Sequence, residues 1–156
     1  MSELLFNNME LTRSFFLKNV EGVEDGLVDI QPEGFNNTIH WHIGHILTTA
    51  ETLIFGFPKN TSNLPANYME LFARGTKPAD WKGDVPSVSV LTSQLKEQLS
   101  RMKEISIDSL SVELKEPFLG QKTYGELVNF ALFHENMHLG QIHAMKRVIE
   151  NAKTEK

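Results

Sequence analysis

The sequence predicts an all-α fold, a four-helix bundle with a long connection between its second and third helices. Three observations predict it: four stretches with apolar residues at helical spacing, no stretch of strand-like alternation, and an irregular Pro-rich tract from 56 to 86. At 156 residues and 40% hydrophobic, the chain is the size of one domain, 1–156, able to bury its own core.

Helix one reads from Glu3 to about Val23, with Leu5, Met9, Phe16 and Val20 on one stripe that only Thr12 interrupts. Pro32 and Gly34 punctuate the turn that follows. Helix two starts at Asn37 or Thr38, either of which can cap it, and runs through Ile39, Ile43, Ile46, Ala50 and Leu53 to about Phe55. The tract from Gly56 to Pro86 holds four of the six prolines and one short helical stretch at Ala66 to Ala73. A connection this long can cross a bundle from end to end, letting helices two and three run parallel. Helix three follows from Ser87, with Val88, Leu91, Leu95, Leu99, Met102 and Ile105 on its stripe. After a break at 106–121, Thr123-Tyr124-Gly125-Glu126 forms a capping box that opens helix four. Its stripe is Leu127, Ala131, His134, His138, Ile142, Met145 and Ile149, so two histidines face the core.

Composition excludes several classes of function. A net charge of −5 without any Lys/Arg-rich run argues against a nucleic-acid partner. No apolar window is long enough to cross a membrane and the N-terminus lacks the basic start of a secretory signal, so a soluble, cytoplasmic protein is expected. The chain has no cysteine. Any thiol in its chemistry must therefore arrive with a substrate or cofactor.

His134 and His138 lie one turn apart on one helix face, close enough to share a metal ion. Burying two imidazoles costs on the order of a few kcal/mol unless each finds a partner, which favours a metal over two unrelated core histidines. Residues 134–138 also match the His-Glu-x-x-His pattern of zinc peptidases, with Glu135 as general base. Context opposes a peptidase: Gly140 and His143 each fall one residue short of the metzincin spacing, and no strand precedes the motif to hold a peptide. The third ligand then comes from helix two, which carries His40, His42 and His45. Its aliphatic side centres between Ile46 and Ala50 with His42 on the edge, so periodicity prefers His42. His45 shares its face with Thr38, Thr49 and Thr52, which reads equally as a polar pocket wall or as a solvated surface. His40 near the helix start and His143 on the last helix's surface read as non-ligands, and Trp41 and Trp81 as packing residues. Glu135, Asn136 and Gln141 stand beside the ligands and could steady them or simply be solvated or capping groups.

At these residues the chain resembles the DinB/YfiT-like superfamily of bacterial four-helix bundles. The resemblance rests on Trp41-His42-Ile43-Gly44-His45-Ile46, similar to that family's Trp-x-x-Gly-His-hydrophobic segment, and on His134, His138, Gly140, Gln141 and Ile142. It covers nearly the whole chain. What it implies is an up-down-down-up bundle that often dimerises, with a divalent metal such as zinc or nickel held by His45, His134 and His138. Met137 departs from the pattern, since many members carry a further His there.

Three neutral imidazoles leave a divalent metal its full charge and an open coordination position. Characterised relatives resemble thiol-dependent transferases and isomerases that use bacillithiol or mycothiol. The leading expectation is therefore a transferase that activates a low-molecular-weight, bacillithiol-like thiol for attack on a small electrophile, in a protein that forms a homodimer. Two alternatives stand beside it: a metal-dependent hydrolase that activates water with Glu135 as base, and a non-enzymatic metal-binding stress-response bundle.

Overall fold

Three of the four long helices start after a residue whose side chain accepts from a free backbone donor, Thr38, Ser87 and Thr123, and each of the four then buries one stripe. The structure, a computed structural model, describes residues 2–24 and 26–154; residues 1, 25, 155 and 156 of the range read as one domain lie outside it. Helix α1 spans Ser2–Glu21 and buries Met9, Phe16 and Val20, together with Thr12 and Arg13. Helix α2 spans Ile39–Ala50 and is capped by Thr38, whose side chain accepts from the Trp41 amide. It continues as one wider π-helical turn, Glu51–Phe55, so the helical stretch ends where the sequence pattern stops. The short helix α3, Tyr68–Phe72, falls inside the stretch 66–73 read as helical. Helix α4 spans Val88–Lys103 with Ser87 as its cap. Helix α5 covers Tyr124–Thr154, 31 residues. The capping box forms as read: Thr123 Oγ1 accepts from the Glu126 amide, and Glu126 accepts from the Thr123 amide.

The segment 106–121, read as a break without strands, folds instead into a turn of 3-10 helix at Ile107–Ser111 and a hairpin. Strand β1, Glu113–Phe118, pairs antiparallel with β2, Gln121–Thr123. The hairpin gives no period-2 apolar signal because none of its side chains is buried and most are exposed. Its tight turn is made by Leu119 and Gly120, both at positive φ (49° and 85°). Leucine at the first of these positions hides a turn that Asn-Gly or Asp-Gly would have announced.

Cross-contacts fix how the four long helices run. Along α2 and α5, His42 meets His138, His45 meets His134 and the Tyr124 hydroxyl donates to Ile54 O, an antiparallel pairing. Along α1 and α5 the pairs Arg13–Glu135, Asn19–His143 and Gly22–Lys146 advance together, so these helices are parallel. Helices α2 and α4 are also parallel, through His40 to Pro86 O, Gln98 to Leu47 O and Arg101 to Glu51.

Two apolar clusters fill the core, one around Phe16, Ile43, Leu95 and Ile142, the other around Met9, Ile54, Met102 and Leu127. A buried polar layer separates them in every long helix. Arg13, 1% exposed, donates to both Glu135 oxygens (2.7 and 2.9 Å), to Leu95 O (2.8 Å) and to Gln98 Oε1 (3.1 Å). Gln98 in turn donates to Glu51, whose carboxylate also takes the Arg101 guanidinium. Buried charges of this kind persist only when paired and hydrogen-bonded, and here every partner is supplied.

Candidate metal centre

The antiparallel crossing of α2 and α5 brings three imidazoles to one point beside the polar layer. His134 and His138, four residues apart on α5, present Nε2 atoms 3.1 Å from each other. His45 reaches in from α2, its Nε2 3.2 Å from that of His134. Among the described residues these three form a group able to hold a metal ion; His45 and His138 are buried and His134 is half-buried.

Each ring is fixed from behind. His45 Nδ1 lies 2.7 Å from Phe72 O, and since a carbonyl can only accept, the ring is the Nδ1–H tautomer with a bare Nε2. Its face stacks on Trp41 at 4.5 Å, and the Trp41 indole N–H donates to Thr76. Gly44 permits this arrangement, because a Cβ there would run into the Phe72 ring. His138 Nδ1 lies 2.8 Å from His42 Nδ1, and Gln141 also hydrogen-bonds His138. Burial, then neighbouring imidazoles, pushes His134 down to about 4 and His138 down to about 3. Burial lowers His45 as well, against the opposing pull of the Phe72 carbonyl. All three rings are therefore neutral at pH 7, the form that binds metals.

The donor set fits a divalent cation. Zinc bonds of about 2.0–2.1 Å in a tetrahedron place neighbouring ligand atoms about 3.3 Å apart, close to the 3.1 and 3.2 Å from His134 Nε2 to the other two nitrogens, and all three ligand atoms lie within 4.8 Å of one another. Without a cation, nitrogen lone pairs face one another with too few protons to satisfy them all; a cation satisfies the three together. Nitrogen ligands of this type suit zinc and nickel alike.

The centre opens into a pocket of about 970 Å³. Trp41, Met137, Gln141, Arg74 and Lys77 line it together with the histidines, and among the described residues no carboxylate does. A second groove of about 570 Å³, bordered by Leu4, Leu5, Ile107 and Leu110, holds no histidine.

Both helix-two candidates end at the site. His45 joins the triad, while His42, which periodicity preferred, lies behind His138. Glu135, the candidate base, is not brought to the triad: Arg13 holds both its oxygens inside the polar layer, and it does not line the pocket. Asn136 donates to Leu132 O and meets Thr12 instead of a histidine. His40 bridges Asp29 and Pro86 O, and His143 lies on the surface near Asn19. Trp81 packs on His40 and Phe72, whereas Trp41 turns out to wall the site as well as pack.

The sequence pattern of the DinB superfamily matches residues 8–142. The chain belongs to the DinB superfamily. A solved structure described as the conserved protein of locus from Enterococcus faecalis has a similar fold, with a TM-score of 0.70 at 17% identity over 97% of this chain and 98% of that one. No curated protein matches the chain. The motif residues of this DinB-superfamily chain, His45, His134 and His138, are the three that converge.

Proposed function

We propose that this protein is a metal-dependent thiol S-transferase, a single-domain, cytoplasmic up-down-down-up bundle that works as a homodimer on a small-molecule substrate. The observation that carries the reading is the convergence of three neutral Nε2 atoms at the floor of an open pocket. The parallel α1–α5 and α2–α4 pairs support the bundle topology. Exposed Leu4, Leu11 and Phe15 on α1 and Phe133 on α5 support a second copy as partner.

When bound, zinc or nickel supplies Lewis acidity that lowers the pKa of a thiol held beside it. His45, His134 and His138 hold it, the Phe72 carbonyl and Trp41 orient His45, and the buried rings keep the floor of the pocket neutral. The thiol must come from outside, since the chain has no cysteine. In the transfer the thiol sulfur bonds to the electrophilic carbon, the bond to the leaving group breaks with its electron pair, and the thiol proton passes to solvent. Arg74 and Lys77, with no carboxylate among the lining residues, favour an anionic group on the incoming thiol or electrophile. Hydrolysis is supported less well, because Glu135 is tied to Arg13 and no other carboxylate lines the pocket to serve as base for water.

The test is metal-loaded protein incubated with a chlorinated aromatic, with and without bacillithiol. Chloride release that needs both metal and thiol is expected. Release without thiol would favour the hydrolase, and tight metal with no turnover of any electrophile would favour a non-enzymatic metal-binding role. Unchanged metal content in His45→Ala, His134→Ala and His138→Ala would sink the site itself.

A further inference from the structure

We propose that His42 is a positioning residue for the centre: it accepts the Nδ1–H of His138 and so keeps His138 Nε2 bare and aimed at the other two rings. The inference rests on the metal reading above for its purpose but on hydrogen-bond bookkeeping for its content.

One backbone carbonyl in this chain of contacts can act only as an acceptor. Phe72 O can only accept, so His45 carries its proton on Nδ1 and offers a bare Nε2. In the metal-free protein His134 Nε2, 3.2 Å away, must then be the donor of that pair. The same His134 N–H lies 3.1 Å from His138 Nε2, where a second proton would collide with it, so His138 Nε2 is also bare. A neutral His138 with a bare Nε2 carries its proton on Nδ1, which lies 2.8 Å from His42 Nδ1. His42 therefore accepts and keeps its own proton on Nε2. One carbonyl oxygen on α3 sets the tautomers of four histidines in sequence.

Two consequences separate His42 from a residue that merely fills space. Histidine ligands to metals nearly always donate their outer N–H to a fixed acceptor, which orients the ring and strengthens it as a ligand. An imidazole is here that acceptor, where a carboxylate or carbonyl is usual. Second, when a metal takes up the three Nε2 lone pairs, His45, His138 and His42 already have the required tautomers. Only His134 must move its proton from Nε2 to Nδ1, and His134 is the half-buried ring of the three, the one that water reaches. Gln141 also hydrogen-bonds His138 in the sense that favours its protonated form, and so is the rival acceptor.

Long-range proton–nitrogen NMR on the zinc-free protein decides the tautomers without any substitution. His45 and His138 are expected as Nδ1–H, and His42 and His134 as Nε2–H, with His134 alone switching when zinc is added. A His138 that carries its proton on Nε2 overturns the proposal. Chelator competition then compares zinc affinity in the parent, His42→Phe and His42→Gln, with thermal melts of the zinc-free forms as folding controls. Loss of the acceptor in His42→Phe should weaken zinc binding by roughly ten- to a hundredfold, and His42→Gln, whose side-chain carbonyl can accept, should recover most of it. Parent-like affinity in His42→Phe, or equal loss in both variants, assigns the acceptor role elsewhere and overturns the proposal. A parent that binds no zinc removes the metal reading, and the tautomers of the zinc-free protein still decide the role of His42.

Discussion

At the scale of single residues, Glu135 shows how a motif can mislead about chemistry while pointing to the right place. It stands between two site histidines in sequence, yet a helix turns consecutive side chains about 100° apart, and this turn sends its carboxylate to Arg13. Removing it leaves the Arg13 guanidinium, 1% exposed, buried without its counter-charge. Glu135→Ala should therefore lose about 3–5 kcal/mol in urea unfolding, as breaking one side of a buried pair does, while zinc affinity stays within a few-fold of the parent. A large loss of zinc affinity at unchanged stability would return Glu135 to the site. The choice between His42 and His45 was hidden from periodicity for a different reason. Every residue of α2 except Thr49 is buried, so the helix has no solvated face against which a stripe could be measured. α3 and the loop after it cover the side that a four-helix pattern would leave wet, through Phe72 against Gly44 and Thr76 against Trp41. That cover comes from the irregular tract, whose path no local pattern reveals.

At the scale of elements, the long helices were legible because each carries a core stripe and three of them a side-chain cap as well. Thr38, Ser87 and Thr123 all accept the amide hydrogen bonds their side chains can take. The hairpin was illegible because its pairing lies in the backbone and its turn uses Leu119 in a left-handed conformation. A non-glycine residue there carries a steric penalty of about 1–2 kcal/mol, and Leu119, 68% exposed, gains little from burial in return. Leu119→Asn should then raise stability by about 1 kcal/mol, because Asn tolerates this conformation and completes an Asn-Gly turn with Gly120. The measurement is the urea midpoint at unchanged m-value. A destabilised variant would mean that the leucine side chain has packing worth more than its backbone strain.

At the scale of the whole molecule, burying four histidines together makes the metal-free protein acid-sensitive. Burial is the first cause of lowering in each: His42 and His134 fall to about 4 and His138 to about 3 from an ordinary 6.5, and His45 is lowered too. Because the folded values are depressed, the unfolded chain takes up protons first. Stability is complete above pH 6.5 and falls as pH drops from there toward 4, and for His138 toward 3. Each ring adds at most about 1.4 kcal/mol per pH unit in that window, less where water reaches it. Urea midpoints of zinc-free protein between pH 7.5 and 4.5 should decline more steeply than those of a His134→Ala/His138→Ala double variant; equal slopes would refute the account. Charge across the molecule bears on function as well. The chain carries a net −5, yet Arg74 and Lys77 line the pocket over the triad with no acid among its described lining residues, so a small anion repelled by most of the surface meets cations there, of which Lys77 also lies 3.8 Å from Asp80. Both cations are solvated, so each is worth only about 0.2–1 kcal/mol to a bound anion and is screened by salt. Together they should favour a carboxylate-bearing thiol over its neutral amide by roughly three- to tenfold at low ionic strength. Cobalt-loaded protein titrated with N-acetylcysteine and with N-acetylcysteine amide, followed by thiolate absorption, measures that ratio. It should shrink toward one in high salt and vanish in Arg74→Gln/Lys77→Gln at unchanged cobalt content. A ratio that survives the double substitution would place the anion's partner at the triad itself, leaving the loop cations as ordinary surface charge.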